Sequence, residues 1–169
     1  MPADPPAPSA LDPAADTAPG SSDIYIRLAL DEAAAAAARG EVPVGAVLVE
    51  AATGMVLAKA GNRVEELADP TAHAEVLAIR EAGRLRGRPR LPDCDLYVTL
   101  EPCALCAGAI SFARLRRLVF AAADPKGGAV LHGPRFFEQK TCHHRPQVEQ
   151  VPGAEEAGEL LRAFFRARR

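Results

Sequence analysis

The sequence predicts an α/β fold, a three-layer α/β/α sandwich with a mixed five-stranded sheet. Two short aliphatic runs, residues 44–49 and 55–58, flank the stretch 51–54, which ends in Gly and predicts an antiparallel hairpin. Helical and strand patterns then alternate between residues 71 and 123, as they do where crossover helices connect parallel strands. A hairpin joined to such crossover units makes a mixed sheet with helices on both faces.

The chain of 169 residues is the size of one domain, which we expect to be preceded by a tail. Residues 1–22 contain six Pro and six Ala among Asp, Ser and Gly. This composition buries too little apolar surface to offset the entropy of ordering, so it predicts a disordered Pro/Ala-rich tail. The folded domain is predicted over residues 23–169, with a first helix that Asp23 caps and that ends at Arg39-Gly40.

Apolar periodicity and start and stop signals predict the other elements. They are helices over 71–83, 102–113, 136–139 and 155–168 and strands over 96–100, 115–123 and 147–151. The strand at 147–151 is expected at an edge of the sheet. The loop between residues 124 and 147 is rich in Gly, Pro and His.

Composition excludes several classes of protein. Hydrophobic residues make up 49% of the chain and charged residues 25%, which is ordinary usage for a soluble globular protein. The longest apolar run, residues 102–113, is shorter than the roughly 20 residues that cross a bilayer. Four Cys without a signal peptide indicate a reducing compartment and predict a cytoplasmic protein.

Charge is compatible with an RNA partner without requiring one. Of the 20 basic residues 17 are Arg, the side chain that forks onto phosphates. They concentrate in segments 80–90, 114–117 and 162–169. A run of charge is more often a solvated surface, which is the favoured interpretation for 80–90, whereas for 162–169 a solvated surface and a phosphate contact both stay open.

The residues that indicate chemistry are His73, Cys103 and Cys106. Two Cys three residues apart share one face of a helix, and Pro102 in its first turn would gather both thiols at the helix N-terminus. The exposed N–H groups there favour the thiolate that binds zinc. Three protein ligands leave a fourth position for water, whose pKa zinc lowers to about 7, so this set predicts hydrolysis rather than a structural zinc site.

Glu75 is the candidate general acid and base. It lies two residues after His73, which on a regular helix would point it away, but at a first turn the two side chains can converge. It could then move a proton between water and a substrate nitrogen. The alternative interpretations are a core His with two apolar thiols, and a Glu75 that only interacts with the helix dipole.

The spacing His73-x-Glu75 and Pro102-Cys103-x-x-Cys106 matches the signature of zinc nucleobase deaminases. Around it the chain resembles the bacterial tRNA-specific adenosine deaminases over roughly residues 23–169. The segments that carry this resemblance are 41–49, 61–63, 69–75, 96–103 and 106–110.

This resemblance implies a cytidine-deaminase-like fold and one Zn²⁺ per subunit, bound by His73, Cys103 and Cys106. It implies that Glu75 transfers protons and that Asn62 contacts the nucleobase. The implied activity is hydrolytic deamination of adenosine to inosine at the wobble position, 34, of a tRNA anticodon loop, by a homodimer. An anticodon loop already presents unstacked bases, which lowers the cost of placing one in a pocket.

Two departures from the family pattern leave the substrate open. Lys126-Gly127-Gly128 and His143-His144-Arg145 stand where better-known members have Lys-Thr-Gly and Asn-His-Arg. One alternative is a deaminase of a free base such as guanine or cytosine. Another is a structural zinc or redox module with a fourth ligand from Cys142 or His143.

The remaining Cys and His residues are assigned no chemistry. Cys94 and Cys142 are expected to be small buried or surface thiols. His132, His143 and His144 lack a partner cluster in the sequence, and we expect them to pack the loop or contact substrate.

Overall fold

The structure, a computed structural model, describes residues 21–168. The predicted tail lies outside the described residues except for Ser21 and Ser22, which begin the first helix. In chain order the elements are α1 (Ser21–Ala38), β1 (Gly45–Glu50), β2 (Val56–Gly61), α2 (Val64–Leu67), α3 (Ala74–Arg86), β3 (Cys94–Leu100), α4 (Ala104–Ala113), β4 (Arg117–Ala122), a 3-10 turn (Phe136–Glu138), β5 (Gln147–Gln150) and α5 (Ala154–Arg166).

The five strands form one mixed sheet, as the sequence predicts, and their order in the sheet is β2-β1-β3-β4-β5. β1 is antiparallel to both β2 and β3, and β4 is parallel to both β3 and β5. The strand predicted for the edge, β5, lies at one edge, and β2 lies at the other.

Alternate residues of the strands face two separate cores, because successive side chains of a strand point to opposite faces. Leu48 and Leu96 belong to a core that α3 and α4 cover, whereas Val47 and Tyr97 belong to a core that α1 and α5 cover. All four side chains are almost completely buried, and each such burial stabilises the fold by about 1.5–3 kcal/mol. The three-layer sandwich is therefore confirmed.

The helix starts differ from the sequence predictions. Asp23 lies in the first turn of α1 rather than at its N-cap. α3 begins at Ala74, three residues later than predicted, because Asp69 Oδ1 accepts hydrogen bonds from both the backbone N–H and the hydroxyl of Thr71, at 2.8 and 2.7 Å. This local turn competes with helix formation and delays it.

The four-residue helix α2 was not predicted, because a distant residue organises it. Glu41 accepts hydrogen bonds from the backbone N–H groups of Glu65 and Glu66, at 3.2 and 2.9 Å, and so satisfies the N-terminus of α2 from 24 residues away in the chain.

No helix among the described residues is long and apolar enough to cross a membrane.

The topology brings two helix N-termini together at one end of the sheet. β3 ends at Leu100 and α4 begins four residues later, at Ala104, while α3 packs directly against α4. The predicted zinc ligands lie at these two N-termini.

Candidate active site

His73 and Cys103 are the N-cap residues of α3 and α4, both with extended backbone, at φ −75° and ψ 149° and at φ −72° and ψ 176°. Cys106 lies in the first turn of α4. The sequence placed Pro102 in that turn, but the structure has it before the N-cap. Because Cys103 is the N-cap, its carbonyl accepts the first helical hydrogen bond, from the Ala107 N–H at 2.9 Å.

The three side chains form a triangle of the size that zinc requires. Cys103 Sγ lies 3.7 Å from Cys106 Sγ, and His73 Nδ1 lies 3.6 and 3.4 Å from the two sulfurs. Tetrahedral zinc with ordinary Zn–S and Zn–N bonds gives edges of about 3.8 Å between sulfurs and about 3.6 Å between sulfur and nitrogen. The donor set and its geometry therefore fit a zinc ion, and in the described part of the chain no other group of His, Cys and carboxylates is arranged to do so.

The two thiols differ in acidity. The Cys106 side chain lowers the pKa of Cys103 most, and His73 lowers it further against the opposing effect of burial, to about 4. Contact with Cys103, together with burial, raises the pKa of Cys106. The Cys103 thiolate in turn raises the pKa of His73. Because thiolates are the form that binds a metal, metal binding at this pair would release thiol protons.

Glu75 is buried, with 4% of its surface exposed, in the first turn of α3. Burial raises the pKa of its carboxyl group, as expected for a group that exchanges protons near neutral pH. Because His73 is extended rather than helical, the two side chains do not diverge as they would on a regular helix. Both side chains line one cavity.

This cavity has a volume of about 690 Å³ and also receives Asn62 and Cys103. Asn62 is 7% exposed, and its Oδ1 accepts a hydrogen bond from the backbone N–H of Ala74, at 2.8 Å. Because the amide oxygen is held by this donor, the NH2 group is the part of the amide available to a bound molecule. The structure thus brings all five predicted site residues together.

Further residues of the cavity were not predicted to lie in it, although Phe164 and Arg168 belong to the segment 162–169, for which the sequence leaves a phosphate contact open. Asp124, Gly127, Phe164 and Arg168 line it together with Glu101. Burial raises the pKa of Glu101, but hydrogen bonds from the backbone of Asp124 and from His132 outweigh this effect and lower the pKa to about 2. The only local sequence signal for a role of Glu101 in the site was its position directly before Pro102-Cys103.

The fourth ligand required by a structural zinc module is not found among the described residues. Cys142 Sγ lies 3.5 Å from Ser111 Oγ and 3.1 Å from the His144 carbonyl oxygen, outside the ligand triangle. His144 Nε2 lies 2.6 Å from the Leu115 carbonyl, so this residue packs the loop as expected. Burial raises the pKa of Cys94 to about 12, which makes it an unreactive thiol.

The arginine segments divide into two groups. Arg80, Arg84, Arg86 and Arg88 each pair with a carboxylate, which supports the solvated-surface interpretation for the 80–90 segment. Arg168 is different: its guanidinium lies 3.5 Å from the centre of the Phe164 ring and donates to the Gly40 carbonyl at 3.0 Å.

A two-sided α/β sheet with a His-Cys-Cys triangle and a buried glutamate at two helix N-termini defines a zinc-dependent deaminase, a hydrolase. In agreement, the family described as the cytidine and deoxycytidylate deaminase zinc-binding region matches residues 21–122.

Individual relatives narrow the class. The chain is 57% identical to the tRNA-specific adenosine deaminase of Agrobacterium fabrum over 145 residues, which are 86% of this chain and 94% of the relative. It is 46% identical to the tRNA-specific adenosine deaminase of Aquifex aeolicus over 85% of this chain and 93% of that relative. A solved structure from a study of A-to-I editing by tRNA:A34 deaminases at the wobble position of transfer RNA superimposes with a TM-score of 0.80 at 56% identity, covering 82% of this chain and 99% of that one. The chain belongs to the tRNA-specific adenosine deaminases.

Proposed function

We propose that this protein hydrolyses adenosine to inosine at wobble position 34 of a tRNA anticodon. The observation that carries the proposal is the single cavity of about 690 Å³ in which His73, Cys103, Glu75 and Asn62 meet. This volume suits one nucleoside, and the groups that line it are those that a hydrolytic deamination needs.

His73, Cys103 and Cys106 would hold one Zn²⁺, through Nδ1 and two sulfurs. When bound, zinc lowers the pKa of a water molecule and makes it a nucleophile at neutral pH. The N-termini of α3 and α4 direct their partial positive charge toward the thiolates and stabilise them.

Glu75 would carry the proton. Its buried carboxylate would accept a proton from the water as the water oxygen bonds to C6 of adenine, and would pass this proton to the ring nitrogen N1. It would then move the proton of the new C6 hydroxyl to the exocyclic nitrogen, so that the C6–N bond breaks, ammonia leaves and the carbonyl of inosine remains. The raised pKa of Glu75 favours this exchange, since a strongly acidic carboxylate would not hold the proton between the two transfers.

Asn62 would hold the base by donating from its NH2 group to a ring nitrogen. We expect Asn62→Asp to keep the hydrogen bond from Ala74, since Asp also accepts at a helix N-terminus, while losing the donor. KM for the RNA should rise about ten-fold or more, with the zinc content unchanged. Steady-state kinetics on an anticodon stem-loop measure this, and an unchanged KM would remove Asn62 from base recognition.

The position of Arg168 at the edge of the cavity supports tRNA as the substrate. Arg168 forms no ion pair with a carboxylate of the described residues, and it places a cation beside the Phe164 ring at the cavity wall, where a ribose phosphate of a longer substrate would pass. A cytoplasmic location is supported by tRNA as the substrate and by the four Cys, all of which are free thiols.

We also propose that the protein is a homodimer. Leu105 and Phe112 lie seven residues apart on one face of α4 and are 43% and 73% exposed, which is an apolar surface that a second subunit would cover.

Phe112→Asp is expected to convert the dimer to a monomer, because a charge in an apolar contact is left without a partner. Light scattering after size-exclusion chromatography should show the mass fall from twice the chain mass to the chain mass. Phe165→Asp, at another exposed Phe on α5, serves as the control and should remain dimeric. A dimeric Phe112→Asp protein would place the interface elsewhere.

The direct test of the proposed function is incubation of the zinc-loaded protein with an anticodon stem-loop that contains A34. We expect inosine at position 34, none in a stem-loop with A at a neighbouring position, and no ammonia from free adenine, guanine or cytosine. Ammonia release from a free base without inosine in any tRNA would instead favour the free-base deaminase. A zinc-loaded protein inactive on every substrate would favour a structural module.

A further inference from the structure

The Glu101 carboxylate accepts hydrogen bonds from several residues of one loop. It lies directly before Pro102, and its side chain is completely shielded from solvent. Oε1 accepts from the backbone N–H groups of Val130, Leu131 and His132, at 3.1, 2.7 and 3.0 Å. Oε2 accepts from the backbone N–H of Asp124 at 2.9 Å and lies 2.7 Å from His132 Nδ1. One carboxylate thus holds both ends of residues 124–132, which we call the cavity loop.

The turn inside the cavity loop is held by Asp124 and packs closely against the Glu101 carboxylate. Asp124 Oδ1 accepts hydrogen bonds from the N–H groups of Lys126 and Gly127, at 3.1 and 3.0 Å, and Gly128 N–H donates to Asp124 O at 2.9 Å. A Cβ on Gly128 would lie 2.5 Å from both Asp124 O and Glu101 Cδ. Position 128 therefore accepts only glycine while Glu101 occupies its place.

The cavity loop forms one wall of the active site. Asp124 and Gly127 line the cavity together with His73, Glu75 and Cys103, and Glu101 is two residues from Cys103 in the chain. The anchor of the cavity loop and the metal-binding turn are therefore parts of one short, buried segment, and a shift of the loop would change the shape of the cavity.

We propose that Glu101 is a positioning residue that fixes the cavity loop against the active site and so determines the affinity for the nucleotide. The proposal rests on the proposed function for its kinetic consequence, whereas its structural consequence is independent of the substrate. A glutamine at position 101 has one oxygen to accept hydrogen bonds and an NH2 group that would face N–H donors, so it cannot hold both ends of the loop.

Hydrogen exchange of the zinc-loaded protein tests the structural consequence. In Glu101→Gln we expect amide exchange in residues 124–132 to accelerate ten-fold or more, with exchange in β1 and β3 unchanged. Glu41→Gln is the matched control for this measurement, because Glu41 is also a buried carboxylate that accepts two backbone N–H groups, but at α2. Its cavity loop should exchange as in the wild type.

Kinetics on the A34 stem-loop test the second consequence. We expect KM to rise about ten-fold or more with kcat reduced much less and the zinc content unchanged. A purely structural Glu101 would instead lower thermal stability and accelerate exchange throughout the domain. If wild-type protein makes no inosine, the proposed function fails, while the exchange experiment still decides whether Glu101 anchors the loop.

Two further variants keep the proposal testable if Glu101→Gln does not fold. Gly128→Ala retains the Glu101 carboxylate but displaces it from the loop, because the added Cβ would lie 2.5 Å from Glu101 Cδ. This variant should reproduce the faster loop exchange and the KM increase. His132→Ala removes only the side-chain contact and should give a smaller change of the same kind. The proposal would be overturned if the cavity loop of Glu101→Gln exchanged its amide hydrogens at the wild-type rate. If Glu101→Gln is insoluble, the same result for Gly128→Ala would overturn it.

Discussion

Glu75→Gln is expected to lower kcat for inosine formation by about 10²–10⁴-fold while the protein keeps its zinc. Glutamine has nearly the same shape, so the first turn of α3 and the buried surroundings of residue 75 are preserved. It cannot, however, accept a proton from water and return it to the base. Single-turnover kinetics on the A34 stem-loop, with zinc measured on the same sample, separate lost proton transfer from lost metal.

Glu81→Gln is the control on the same helix. Glu81 is a surface residue of α3 that pairs with Arg84, so its substitution removes a carboxylate without touching the cavity. We expect its kcat to stay within about two-fold of the wild type, since exposed ion pairs contribute little. A Glu75→Gln enzyme that retains more than a tenth of the wild-type kcat would assign the proton transfer to another group.

Cys103→Ala is expected to abolish both zinc binding and activity. The substitution removes one corner of the triangle that Cys103, Cys106 and His73 form, and two remaining ligands bind zinc far more weakly than three. A chelator should inactivate the wild type in the same way, and added zinc should restore it. Zinc should not restore the variant. Metal analysis and inosine assays on the same preparations measure both effects.

Cys94→Ala is the matched control, because Cys94 is a buried Cys on β3 that lies outside the triangle. It should bind zinc and deaminate RNA as the wild type does, with at most a small loss of thermal stability from the cavity left behind. Full activity of the Cys103→Ala protein, or of chelator-treated wild type, would contradict a hydrolytic zinc site.

Most of the fold could be predicted from local patterns. The aliphatic runs of the strands, the hairpin turn and the alternation of helical and strand patterns are properties of neighbouring residues, so the layers and the mixed sheet follow from them. Helix ends were predicted less well. The start of α3 depends on the Asp69–Thr71 turn, and α2 exists because Glu41 caps it from a distant position.

The ligand set could be predicted because its chemistry is local and specific. In a reducing compartment, a Cys-x-x-Cys pair directly after Pro102, combined with His73, has few functions other than binding a metal. The role of Glu101 could not be predicted in this way, since its partners lie 23 to 31 residues further along the chain. Nothing in the local sequence distinguishes a carboxylate that accepts backbone N–H groups from one on the surface.

By itself, therefore, the sequence determined which atoms can bind zinc, which carboxylate is near them, and how many layers surround them. Only the tertiary structure decided that His73 and Cys103 are both extended N-cap residues, which is why Glu75 converges on the same cavity. It also decided that Arg168 reaches the cavity while Arg80 is bound to a carboxylate. The physical reason is the separation of the partners along the sequence. Residue spacing determines contacts within one turn or strand, whereas contacts between distant segments exist only once the sheet brings them together.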